Sequence, residues 1–181
     1  MQMDGLLKCI KKPAEVGANL NKMTIENWIL SLTHNQESLS NWPICPYAKK
    51  AYINKRYQIV DTEYDTIDLD IKKSDLTKYQ VIIFKLKDYE LYDIISLKQK
   101  TNNLNEQFNK SDIIILDNDP RDPFLINGVK TTYEGNYLWL IQSLSDLNDK
   151  SKELEKTNYY SHWTKEQLDE VVNWRTNIWS N

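Results

Sequence analysis

Glycine is scarce in this chain of 181 residues, with four in all. That is too few for glycine-rich phosphate loops or for an all-β fold full of tight turns. The two cysteines, Cys9 and Cys45, lie far apart and make no disulfide framework, so a reduced, cytoplasmic protein is expected. The only histidines, His34 and His162, have no zinc-site spacing. No apolar run approaches the roughly 18 residues of a membrane-spanning helix. Met1–Lys12 surrounds a mere Leu6-Leu7 pair with lysines and is not expected to be a signal peptide. A net charge of −3 leaves no excess of cation for non-specific nucleic-acid binding. Arginine is rare too: Arg56, Arg121 and Arg175 are the only three among 23 basic residues. The rest are lysines, and with abundant Asn, Ile and Tyr they imply an AT-rich genome, that of a low-GC bacterium or a phage of one.

What is present suits an ordinary globular domain. Forty per cent of the residues are apolar and 27% charged, and the length allows one domain with a substantial core. Residues 1–22 lack periodicity and hold Pro13 and Gly17, so they read as a poorly packed extension before a single domain over 23–181. Thr24 is placed to cap a helix whose face is Ile25, Trp28, Ile29 and Leu32, with Met23 and Trp28 as a hydrophobic staple. Ala48–Asn54 fits a short helical turn and Tyr57–Asp61 a strand. Ile67, Leu69 and Ile71 alternate with Asp68 and Asp70, the pattern of a half-buried edge strand.

Val81–Phe84 and Ile113–Leu116 are unbroken apolar runs of strand length, which suits strands covered on both faces. Tyr89–Asn109 between them has helical spacing, with Asp88 as the expected N-cap. Strand, helix, strand predicts a βαβ unit whose two strands lie side by side and parallel. One helix is expected from about Asn136 to Glu155, on the stripe Leu140, Leu144, Leu147 and Leu154. A last helix starts at a capping box of Thr164 and Gln167 and runs through Val171, Val172, Arg175 and Trp179. The expected class is therefore α/β, with α+β as the alternative. It is a single domain with a mixed sheet of about four strands, a central parallel βαβ unit and a helical C-terminus.

Two motifs bear on chemistry. The first is Trp42-Pro43-Ile44-Cys45-Pro46-Tyr47-Ala48-Lys49-Lys50, where two prolines hold Cys45 in a stiff, non-helical corner. Cys-Pro-Tyr is similar to the redox dithiol of glutaredoxins, with Ala48 where the resolving thiol would stand. Lys49 and Lys50 would depress the thiol pKa if the corner opens a helix. The structural alternative is a small buried cysteine filling a loop. The second motif is Asp117-Asn118-Asp119-Pro120-Arg121-Asp122, directly after the second apolar strand. Carboxylates at a strand's carboxyl end are where open α/β sheets bind ligands, and they are the donors that Mg²⁺ and Mn²⁺ favour. The same residue types also make a plain turn. Tyr159-Tyr160-Ser161-His162-Trp163 mixes aromatic and polar groups as a pocket lining does, or as the entrance to the last helix.

Cys45-Pro46-Tyr47-Ala48, together with the order of elements, resembles the bacterial family known as domain of unknown function 1415. The likeness runs over residues 25–145, through Trp28-Ile29, Arg56, the two apolar strands, and Asp119-Pro120 with Phe124. It implies an α/β fold and no defined activity, and Asp119 stands where that family has a histidine. The leading expectation is a small soluble protein that acts by binding a protein partner or a small anionic ligand. The alternative is a Mg- or Mn-dependent transferase or hydrolase, or a thiol enzyme. It would join catalytic Cys45 and Asp119 to a metal on Asp117, Asp119 and Asp122, with Lys49, Arg121 and His162 holding the substrate.

Overall fold

The computed structural model describes residues 23–176. The expectations for 1–22, Cys9 among them, and for Trp179 lie outside these residues. Helix α1 (Ile25–Ser31) starts where Thr24 accepts the Asn27 N–H at 3.2 Å. A small hairpin, β1 (Asn35–Gln36) and β2 (Trp42–Pro43), delivers the chain to the proline corner. Helix α2 (Ala48–Ile53) follows at once. Then come β3 (Tyr57–Thr62), α3 (Ile67–Lys72), β4 (Val81–Leu86), α4 (Ile94–Phe108) and β5 (Ile113–Asn118). A second short hairpin, β6 (Leu125–Ile126) with β7 (Val129–Lys130), precedes β8 (Leu138–Ser143) and α5 (Leu144–Glu155).

The main sheet is mixed, in the order β3-β4-β8-β5. β3 and β4 pair in parallel, so β3-α3-β4 is the contiguous βαβ unit. β4 and β5 do run the same way, as expected, but they are not neighbours. β8 lies between them, antiparallel to both. This corrects the single helix expected over Asn136–Glu155. Leu138, Trp139 and Ile141 are fully buried, a pattern that suits a central strand covered on both faces. The helix starts only at Ser143, whose hydroxyl accepts the Asp146 N–H.

Ile67–Lys72 is a helix, not an edge strand. Ile67 and Ile71 share a face under either periodicity, because i and i+4 satisfy both. Leu69 separates the two: it is 49% exposed while Ile67 and Ile71 are sealed, which only the helical spacing explains. Asp88 does not cap α4. It sits in the left-handed region at φ 50°, and Asp93 caps instead, taking the Ser96 N–H at 2.8 Å. The Thr164–Gln167 capping box is present at the start of α6 (Lys165–Leu168). A π-helical stretch, Asp169–Asn173, carries it into α7 (Trp174–Thr176).

Apolar side chains fill both faces of the sheet. Ile82, Phe84, Ile115, Trp139 and Ile141 meet Ile67 and Ile71 of α3 and Leu97, Leu104 and Phe108 of α4. Ile83, Leu138 and Leu140 meet Ile25, Trp28 and Ile29 of α1. The result is an α/β domain with helices on either side of one sheet. Among the described residues no helix is long and apolar enough to cross a membrane.

Candidate functional site

The proline corner is pinned from several sides. The Cys45 N–H donates to the Leu32 carbonyl at 3.0 Å, and the Tyr159 hydroxyl donates to the Ile44 carbonyl. Trp42 Nε1 donates to Asn158 Oδ1 at 2.8 Å, and its ring meets Tyr159 edge-on. The Tyr47 hydroxyl donates to Glu153 Oε2 at 3.0 Å on α5. Burial and the adjacent Glu153 push that phenol up to about 12. Sequence reasoning set Cys45 ahead of a helix, and α2 does begin at Ala48.

The thiol is nonetheless not activated. Burial pushes its pKa up, and the opposing pull of the Ala48 and Tyr47 N–H groups and of Lys150 is smaller. The thiol is therefore neutral at neutral pH. Lys49 is exposed to solvent rather than turned to it.

Cys45 forms part of the wall of an apolar cleft of about 110 Å³ between the sheet and the helices α1 and α2. Its floor is Val81, Ile83 and Leu140, and Trp28, Ile29 and Ala51 close the helix side. Gln80, Gln142 and Lys150 are among the polar residues that border it. The Lys150 ammonium lies 5.3 Å from the centre of the Tyr47 ring and 2.6 Å from Asp146. Gln80, Gln142 and Lys150 were not foreseen from the sequence. Each looks like a solvated surface residue until β8 is inserted beside β4 and α5 is folded back on the corner.

The acidic turn lies on the other side of the sheet. Asp117 continues the alternation of Ile113 and Ile115, toward α4, and its carboxylate sits 3.4 Å from the Tyr137 hydroxyl. The cleft is built on Ile83 and Leu140, which face α1. The structure does not bring Cys45 and the aspartates together as one site: the sheet lies between them.

The aspartates themselves do not form a metal cup. Both oxygens of Asp119 are taken by Arg121, at 2.9 Å from Nε and 2.7 Å from Nη2, and Oδ1 also accepts the Arg121 N–H. Asp122 points outward, 3.9 Å from Lys98. Among the described residues no three His, Cys, Asp or Glu side chains are grouped to hold a metal ion. Arg121 is equally committed, since Nη1 donates to the Tyr92 carbonyl at 2.8 Å and the guanidinium lies over Tyr89. Its hydrogen bonds to Asp119 hold that carboxyl below the usual range against the opposing effect of burial. His162 is bonded to Ser40, and its carbonyl accepts from the Asn127 amide, so it holds a hairpin turn rather than lining the cleft.

Asp117 differs from Asp119, for burial raises its pKa. A carboxyl raised on folding favours the native state most below its unfolded pKa and loses that contribution as pH rises through the folded value. Asp117→Asn is therefore expected to be more stable than the native protein at neutral pH. The two should converge on acidification through the carboxylate range, which urea unfolding across pH will check.

Among known proteins, no family model, no curated protein and no solved structure matches this chain.

Proposed function

We propose that this protein acts by binding a small molecule with an apolar body and a polar or anionic head. The observation that carries this reading is the cleft beside Cys45, apolar along Trp28, Ile83 and Leu140 and bordered by Gln80, Gln142 and Lys150. A few convergent polar groups around an apolar recess are the usual build of a small-molecule site. Its size suits a short alkyl chain or one ring, by comparison with the roughly 150 Å³ apolar cavity that admits benzene. Lys150 and the two glutamines supply the polar end. The neutral Cys45 thiol acts as a small polarizable wall atom.

The reading is tested by filling the cleft. Ala51 is buried and lines it, so Ala51→Leu places added carbons in open volume. Calorimetric titration with hexanoate should show binding to the native protein and at least about tenfold weaker binding to the variant. Thermal stability of the variant should be unchanged or raised, since filling an apolar void adds contacts. Equal hexanoate affinity in the two proteins would remove the cleft as the site.

A further inference from the structure

The apolar cleft has a neighbour. A recess of about 230 Å³ is lined by Arg56, Leu76, Tyr79, Gln80, Ser143 and Asp146. Gln80 borders both spaces, and the Lys150 ammonium on the cleft lies 2.6 Å from Asp146 on the recess. The fold gathers these groups from separate places. Arg56 and Gln80 stand just ahead of the parallel strands β3 and β4, and the Gln80 N–H donates to the Arg56 carbonyl at 2.8 Å. Ser143 ends β8 and caps α5, its hydroxyl already engaged with Asp112 and the Asp146 N–H. Asp146 and Lys150 are four residues apart on α5, so they share one face of that helix. Where the apolar space joins the polar one, charges of both signs therefore stand side by side.

That pairing decides which head group fits. Lys150 attracts a lone carboxylate, but Asp146 Oδ2, 2.6 Å from the ammonium, repels it. A lone ammonium meets the reverse conflict, attraction to Asp146 and repulsion from Lys150 and Arg56. Arg56 gives one N–H, from Nη2, to the Thr77 carbonyl at 3.2 Å, and its guanidinium is the cation of the recess. A head with both charges on one carbon answers both signs. Its carboxylate meets Lys150 and Arg56, and its ammonium meets Asp146. On the reading of the cleft as a small-molecule site, we infer that its ligand is an apolar α-amino acid. The aliphatic or single-ring side chain fills the cleft, and the zwitterionic end lies where cleft and recess join. Asp146 is the residue that selects it, because it penalises the bare acid.

Three ligands of matched chain length test this by calorimetric titration of the full chain. L-Norleucine has both charges, hexanoate lacks the ammonium, and pentylamine lacks the carboxylate. The native protein should bind norleucine at least about tenfold more tightly than either of the others. Asp146→Asn should lose norleucine affinity by about tenfold, yet hold hexanoate as tightly as the native protein or more so. Hexanoate or pentylamine that matches norleucine in the native protein overturns the inference and leaves the cleft as a small-molecule site. A norleucine preference that survives in Asp146→Asn also overturns it. So does an equal loss of both ligands in that variant, since Asp146 would then act on the cleft as a whole. If none of the three binds the native protein, the small-molecule reading falls and the inference falls with it.

Discussion

Replacing Thr101 with valine is expected to destabilise the protein by about 3 kcal/mol, although the two side chains have nearly the same shape. The hydroxyl is the meeting point of a polar chain inside the core. It accepts from Trp139 Nε1 at 2.9 Å, lies 3.1 Å from the Tyr137 hydroxyl, and is 3.1 Å from the Leu97 carbonyl. Trp139 and Tyr137 are both fully buried, so water cannot replace the lost partner. Valine leaves an indole N–H without a partner and the phenol with only its long contact to Asp117. Stranded groups of that kind cost more than an average hydrogen bond returns. Urea unfolding checks this. Adding Tyr137→Phe to the variant should recover part of the loss, because one stranded group is removed. A loss below about 1 kcal/mol would mean that the chain contributes little.

Asn105→Ala is expected to cost a similar amount, about 3 kcal/mol, for a related reason. The amide satisfies both main-chain groups of Ile115, which is 1% exposed. Alanine removes two hydrogen bonds from an otherwise sealed strand. It also opens the outward side of β5, so the variant should lose hydrogen-exchange protection first at Ile115. Asn105→Asp keeps the size but cannot donate to the carbonyl while ionised. It should therefore be destabilised too, and less so in acid. Full protection at Ile115 in the alanine variant would show that another group covers that edge.

The local elements were legible where one strong signal had no rival. Thr24 and the Thr164–Gln167 box mark helix starts through side-chain geometry that needs no tertiary partner. Val81–Phe84 and Ile113–Leu116 read as strands because each is a short apolar run from which no helical stripe continues. Leu138–Ile141 is a run of the same kind, yet Leu140 and Leu144 also matched a helical stripe that continues into the real helix α5. Only its place between β4 and β5 decides for a strand, and strand order is not written locally. Ile67–Ile71 misled for a different reason, since four residues span a whole period of either structure.

The site was half legible. The proline corner marked Cys45 as held in place, and the helix behind it was anticipated. Whether that helix or burial controls the thiol depends on what packs over it, which is α5 and its Lys150. In the acidic turn, Arg121 already stood two residues from Asp119. Their mutual pairing is the local alternative to metal binding, and it is the arrangement the fold adopts.

Titrating the full chain with hexanoate, followed by methyl NMR, addresses the binding reading most directly. Saturable shifts at Ile29, Ile83 and Leu140, with hexanol binding more weakly for want of a charge to meet Lys150, are the expected result. Methyl signals in the cleft that stay fixed while the ligand saturates, or that move no more than those around Leu97 and Ile115 on the opposite face, would contradict it.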